Sequence, residues 1–228
     1  MNVAIGVVTT ARRKAQLDET MEALGEPAPR VFCDLEPGLT PNHRAAWREL
    51  FKQADRALLL QDDALPCRNW REAVSIIADQ FPDAPVVNLF SARAVTRTLK
   101  ARLRGYAVEP GIKLMYDLAL LFTRDAYQDF DAWVDERHYN RVAATVFQKA
   151  YSDEELFRHH DGLVRLWLYD RGWKEILSAP PIFQHVGVES TIGHAWKVFG
   201  RERSSPDWPG RDFDAAEHFA SVFGRGEA

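Results

Sequence analysis

Apolar runs and amphipathic stretches alternate along the first ninety residues. Residues 3–8, 57–60 and 86–90 are short apolar runs, which predict strands buried on both faces, as in a parallel sheet. Between them, apolar residues recur at helical spacing, and this predicts helices around Leu17–Leu24, at 42–54 and at 70–81. With residues 30–34 as a second strand, the chain opens as a β-α-β unit. The fold class predicted is α/β, a GT-A-like (Rossmann-like), mostly parallel sheet flanked by helices.

The second half is less regular. A strand within 114–122 is predicted to lead into a helix at 125–134, followed by helices at 140–151, 161–171 and 214–223. Residues 176–182 lead to residues 183–187, so that His185 follows a late strand. Because we find no internal repeat, low-complexity tract or linker, we predict a single domain, residues 1–228, with a loop-like C-terminal tail from 201 to 228.

Composition excludes several classes. Hydrophobic residues are 46% and charged residues 27% of the 228 residues, with a net charge of −4, which is typical of a folded globular protein and not of a disordered chain or coiled coil. No apolar run approaches the roughly 20 residues that span a bilayer, and we expect a cytoplasmic protein without a secretory signal. Cys33 and Cys67 are expected to be reduced thiols.

Asp62 and Asp63 directly follow the apolar strand 57–60. In a parallel α/β sheet, ligands bind beyond the carboxyl ends of the strands. Adjacent carboxylates there favour a hard divalent cation. If the strand continues, the two side chains point to opposite sides, so that one binds metal and the other a sugar or ribose. The alternative is a solvated acidic turn before Pro66.

Three segments carry a family resemblance. Gly6–Arg13 with its following helix, and Gln61-Asp62-Asp63 after an apolar strand, resemble the opening and the Asp-x-Asp-type motif of GT-A glycosyltransferases. Phe183-Gln184-His185-Val186-Gly187-Val188-Glu189-Ser190 resembles a segment of the branching β-1,4-N-acetylglucosaminyltransferases. The segments occur in the expected order. Gln61 stands where many relatives carry an acid, and the chain is shorter than those enzymes.

The resemblance implies an inverting hexosyltransferase with a UDP-hexose or UDP-HexNAc donor and a Mn²⁺ or Mg²⁺ ion on its diphosphate. The donor half would be residues 1–110 and the acceptor half 111–200. The ion would stabilise the charge of the leaving UDP as a Lewis acid. The expected metal ligands are Asp63 and His185, and the expected donor-binding residues are Thr9, Thr10, Arg12, Arg13, Asp34, Asp62 and Ser190. Thr191 and His194 are further candidates for the diphosphate.

These assignments have structural alternatives. The residues after the first strand can be a helix N-terminus with a solvated basic pair, and a lone histidine is more often structural. An inverting transfer needs a base for the acceptor hydroxyl. Asp161, at the start of a predicted helix, is the expected base, with His160 as second choice and N-capping of the helix as the alternative. Asp117 is a weaker candidate for a sugar contact.

The acid-free stretch between Asp83 and Glu109 is basic. Arg93, Arg97, Lys100, Arg102 and Arg104 all lie in it. We interpret it as a solvated helix face. The alternative is a mobile basic loop that grips a polyanionic acceptor, for example DNA carrying hydroxymethylated pyrimidines, as in phage-type DNA-base glycosyltransferases, or a glycan, such as a bacterial surface glycan.

Two other function classes stay open. One is a non-catalytic nucleotide-sugar-binding module that kept the fold and lost the chemistry. The other is a metal-dependent DNA-processing enzyme that uses Asp62 and Asp63, although a two-metal nuclease would need more clustered carboxylates. Nucleotide binding with and without Mn²⁺ discriminates among these classes.

Overall fold

The structure is a computed structural model that describes residues 2–33, 39–91, 94–113, 118–147, 152, 155, 159–185, 197–198, 201–202 and 205–224. The strands are β1 (Val3–Thr9), β2 (Arg30–Cys33), β3 (Arg56–Gln61), β4 (Ala64–Pro66), β5 (Val86–Asn88), β6 (Tyr106–Pro110), β7 (Ala119–Thr123), β8 (Lys174–Ser178), β9 (Phe183–His185), β10 (Lys197–Val198) and β11 (Arg201–Glu202). The helices are α1 (Lys14–Leu24), α2 (Leu39–Leu50), α3 (Trp70–Gln80), α4 (Leu99–Arg104), α5 (Arg124–Asp135), α6 (His138–Phe147), α7 (His160–Asp170) and α8 (Ala215–Gly224).

A seven-stranded sheet of order β2-β1-β3-β7-β5-β8-β6 forms the centre of the fold. Five of its strands run in one direction, and β7 and β6 run in the other. The predicted mostly parallel α/β sheet and its opening β-α-β unit are therefore confirmed. Because β1, β3, β5 and β8 share a direction, their carboxyl ends meet at one edge of the sheet.

Helices cover both faces of this sheet. On one face, α2, α5, α6 and α7 bury a core of large aromatic side chains, among them Trp47, Phe122, Trp133 and Trp167. On the other face, α1, α3 and α8 bury a second core that includes Ile77 and Phe219. These two cores explain why β3 and β7 are apolar at nearly every position: each side of each strand faces a packed layer.

The described part of the basic segment contains a helix with exposed cations, as the interpretation as a solvated helix face predicts, and it is not a loop. Residues 94–97 form a 3-10 turn, α4 follows, and β6 then joins the edge of the sheet. Thr98 caps α4, its Oγ1 accepting a hydrogen bond from the Ala101 amide at 3.1 Å. Gly105 ends the helix at φ 75°, a conformation that favours glycine. These two residues mark the ends of the helix.

In the described part of the chain, no helix is long and apolar enough to cross a membrane. Cys33 and Cys67 are free thiols, as predicted.

Candidate functional site

The two aspartates lie at the sheet edge where the parallel strands end. Strand β3 stops at Gln61, and Asp62 and Asp63 form the turn that leads into β4. Each is only 2% exposed. A solvated acidic turn is therefore excluded, because two carboxylates this deeply buried require partners.

Asp62 is held by three neighbours. Its Oδ2 accepts a hydrogen bond from Thr9 Oγ1 at 2.6 Å, and its Oδ1 lies 2.7 Å from Arg13 Nη1. Thr20 Oγ1 donates to its backbone carbonyl at 2.6 Å. Burial raises the pKa of Asp62 to about 6, although the Thr9 hydrogen bond and the Arg13 charge oppose this rise. Since all three contacts are internal, Asp62 anchors the turn between β1 and α1.

Asp63 keeps one oxygen for another partner. Its Oδ2 lies 2.8 Å from Arg13 Nη2 and 3.3 Å from His185 Nε2. Its Oδ1 is buried and has no hydrogen-bond partner among the described residues. A buried carboxylate oxygen without a partner is costly, so Asp63 Oδ1 is an atom of this turn that can take a contact from a ligand.

The aspartates do not diverge as predicted. Both carboxylates meet the guanidinium of Arg13, because the strand ends at Gln61 and the chain turns instead of alternating sides. His185 reaches the same point through a second, two-stranded sheet, in which Ala64 of β4 lies opposite His185 of β9. The structure thus brings together five of the predicted residues: Thr9, Arg13, Asp62, Asp63 and His185.

The turn offers few protein ligands for a divalent cation. No group of three or more His, Cys, Asp or Glu side chains within the described ranges is arranged to hold a metal ion alone. Asp63 and His185 nevertheless offer an oxygen and a nitrogen at one point. Mg²⁺-type sites commonly take one or two protein ligands and fill the rest with substrate phosphates and water. The residues therefore fit an ion shared with a diphosphate.

Other predicted donor residues have varied positions. Thr10 Oγ1 is buried and lacks a hydrogen-bond partner among the described residues, whereas Arg12 is exposed. Four of the predicted residues lie outside the described residues: Asp34, Arg93, Asp117 and Ser190. The same holds for Thr191 and His194.

Helix α7 begins at the same edge of the sheet. Its last residues lead into the amino end of β8, so its first residues lie near the edge where the carboxyl end of β8 lies. His159 occupies the N-cap position without a side-chain cap, so the prediction of Asp161 as N-cap is wrong. Asp161 lies in the first turn, its Oδ1 accepting from the Gly162 amide at 2.9 Å. His160 is fully buried and stacks on His43 at 4.4 Å. We do not retain His160 as the base, because its side chain packs in the core.

The basic residues around α4 divide into two groups. Arg97 and Arg102 lie 2.8 and 3.7 Å from the carboxylate of Asp207. Lys100 and Arg104 are exposed on the helix. Two of the four described cations are thus engaged within the protein.

Sequence reasoning missed Thr20 and Gln184. Thr20 is fully buried on the apolar stripe of α1, and a hydroxyl on such a stripe is the signal that could have identified it. Gln184, beside His185, exchanges two hydrogen bonds with the backbone of Ser205, at 2.9 and 2.7 Å. This exchange ties the strand that carries His185 to the C-terminal segment.

No protein-family model matches this chain, and no curated protein matches it. Among solved structures, the crystal structure of S. aureus TarS 1-349 matches with a TM-score of 0.43 and 12% sequence identity. The match covers 80% of this chain and 59% of that chain.

Proposed function

We propose that this protein is a glycosyltransferase that moves a sugar from a nucleotide-sugar, of the UDP-hexose or UDP-HexNAc type, to a hydroxyl acceptor. The observation that carries the proposal is the buried Asp62–Asp63 turn at the carboxyl edge of the sheet, where one Asp63 oxygen has no hydrogen-bond partner among the described residues. The resemblance of the three sequence segments to GT-A glycosyltransferases supports it. Open α/β sheets bind nucleotides at this edge.

The charges of the site support a divalent cation as cofactor. Two carboxylates and one guanidinium leave a net charge of −1 around Asp63 when His185 is neutral. A diphosphate brought to such a site would be repelled. A Mn²⁺ or Mg²⁺ ion held by Asp63 and His185 would reverse the sign and, when bound, would supply Lewis-acid stabilisation of the leaving diphosphate.

The chain's own residues then have separate tasks. Arg13 and Thr9 hold Asp62, and so set the position of Asp63. Thr10, whose hydroxyl has no described partner, can donate a hydrogen bond to the donor. Asp161, at the helix start on the same edge, takes the proton of the acceptor hydroxyl as that oxygen attacks the anomeric carbon and the diphosphate leaves.

A DNA-processing reaction is less well supported. Nucleases that use two metals need clustered carboxylates, and such a cluster is missing from the described residues. A non-catalytic module would bind the same donor, so binding and turnover have to be measured separately.

Replacing Asp63 tests the proposal. We expect Asp63→Asn to remove the Mn²⁺-dependent part of UDP binding and to abolish transfer and donor hydrolysis. The Asn keeps the size of the side chain but weakens its metal affinity. Isothermal titration with Mn²⁺ alone, with UDP alone and with both gives the binding readout, and product mass spectrometry gives turnover.

Asp18→Asn is the matched control, because Asp18 is an exposed acid on α1. The proposal would be contradicted if the wild type bound UDP with the same affinity with and without Mn²⁺. It would also be contradicted if the Asp63→Asn protein still transferred sugar. Donor binding without any turnover across sugar and acceptor panels would favour the binding module.

A further inference from the structure

Helix α4 presents two leucines to solvent. Leu99 is 72% and Leu103 is 67% exposed, although large apolar side chains are normally covered. The cations Lys100, Arg102 and Arg104 lie on the same helix, and Arg97 lies in the preceding turn. We call these six residues the α4 patch.

The helix geometry arranges these side chains in order. At about 100° per residue, Leu99 and Leu103 lie roughly 40° apart on the helix and opposite Ala101. Ala101 is buried and packs into the protein. The leucines therefore form the outermost line of the helix, and Lys100 and Arg102 flank that line on either side.

This arrangement is held by the fold. Thr98 caps the helix, and Asp207 fixes Arg97 and Arg102. At Gly105 the chain passes so close to Val222 and Phe223 of α8 that a Cβ there would lie 3.0–3.1 Å from their side chains. The leucines are thus presented by a packed element.

The α4 patch lies at the same edge of the sheet as the candidate site. Tyr106, the first residue of β6, pairs with Ser178, the last residue of the antiparallel strand β8. Helix α4 ends just before Tyr106 and so lies near that edge. The Gln184–Ser205 hydrogen bonds also connect the strand of His185 with the segment that carries Asp207.

We propose that the α4 patch binds an anionic lipid surface. A membrane interface takes apolar side chains into the boundary between headgroups and acyl chains, and basic side chains attract anionic headgroups. The outermost leucines match the apolar layer, and Lys100 and Arg104, which are exposed on the helix, match the anionic headgroups. A nucleic acid would match the cations only, since its phosphates leave the leucines without an apolar partner.

The proposal is independent of the glycosyltransferase assignment, because lipid binding needs neither donor nor acceptor. If both hold, the acceptor is reached from a membrane surface, and lipid-linked acceptors become the first to test.

Vesicle co-sedimentation of the full chain tests the inference. We expect binding to phosphatidylcholine vesicles that contain phosphatidylglycerol, and weak binding to phosphatidylcholine alone. The double variant Leu99→Ser/Leu103→Ser should bind about tenfold or more weakly, because the inserted apolar area is lost. Lys100→Gln/Arg104→Gln should also weaken binding and reduce its dependence on salt.

Val31→Ser is the matched control, since Val31 is 39% exposed on the strand at the opposite end of the sheet. Its vesicle binding should equal that of the wild type, and thermal unfolding should show that all variants fold. The inference is overturned if the wild type does not bind the anionic vesicles or if the leucine variant binds them equally well. It is also overturned if duplex DNA binds through Lys100 and Arg104 while vesicles do not bind.

Discussion

At the scale of the residue, two adjacent aspartates have different surroundings. The Asp62 carboxylate accepts a hydrogen bond from Thr9 and forms an ion pair with Arg13, and its backbone carbonyl accepts a hydrogen bond from Thr20. Asp63 shares Arg13 but retains a buried oxygen with no described partner. Neighbouring positions of one sequence motif thus have different contacts, and the proposed function gives Asp62 a structural role and Asp63 the ligand.

Asp161 allows a prediction at the same scale. We expect Asp161→Asn to lower kcat by about 10²–10⁴-fold, because an amide cannot take up the proton that the acceptor's hydroxyl group loses. Donor affinity should remain. The melting temperature should change little, since the Asn Oδ1 can still accept from the Gly162 amide. Steady-state kinetics and donor titration separate these effects.

Asp125→Asn is the control for that experiment. Asp125 is also a first-turn acid of a helix, but α5 begins at the opposite edge of the sheet. An unchanged kcat in Asp161→Asn would assign the base to another residue.

At the scale of the element, carboxylates of α5 tie the helical layer together. Asp129 accepts two hydrogen bonds from Arg171 and one from Trp167 Nε1, all at 2.8 Å. On another side of α5, Asp131 pairs with Arg44 and Arg48 of α2. The layer that positions α7, and with it Asp161, thus depends on polar contacts between helices as well as on its aromatic core.

The Asp129 contacts predict how stability depends on pH. The hydrogen bonds from Arg171 lower the pKa of Asp129 in the folded state. A carboxylate with a lowered pKa stabilises the fold above its unfolded pKa, near 4, and this contribution disappears as pH falls through the folded pKa. Asp129→Asn should therefore lower the free energy of unfolding at pH 7 by about 1 kcal/mol, a value kept small because the side chain is 36% exposed.

Urea unfolding at pH 7 and at pH 3 provides the measurement. The difference between wild type and Asp129→Asn should shrink at pH 3, while Asp18→Asn should show little difference at either pH. A difference that stays constant with pH would show that the carboxylate charge is not the cause.

At the scale of the whole molecule, the sheet joins two aromatic and aliphatic cores. Strand β3 pairs with β1 and β7, and β7 pairs with β3 and β5, so both are covered on every side. The outer strands β2 and β6 each have one paired edge. Resistance to local opening should therefore decrease from the centre of the sheet towards its ends.

Amide hydrogen exchange checks this expectation. Residues 58–60 and 120–122 should exchange most slowly, at a rate set by global unfolding, and residues 30–33 and 106–110 should exchange faster. Equal or slower exchange at β6 in the free protein would contradict this view of the sheet.

Local patterns were sufficient for much of the fold. The apolar runs predicted β1, β3 and β5, and the helical spacing predicted α1, around Leu17–Leu24, and α3. The order of apolar and polar residues shows whether a strand is buried on both faces or a helix along one stripe, because strands and helices have different side-chain periodicities. The position of the aspartates after β3 predicted the edge of the sheet at which they lie.

The tertiary structure alone decided the contacts within the site and the exposure of the leucines in the basic segment. Arg13 meets Asp63 across 50 residues, and His185 reaches it through the three-residue pairing of β4 with β9. Such contacts depend on sheet order and register, which local periodicity does not encode. Likewise, the exposure of Leu99 and Leu103 follows from the packing of Ala101 and Gly105 against the rest of the molecule, and the order of residues in α4 does not contain that information.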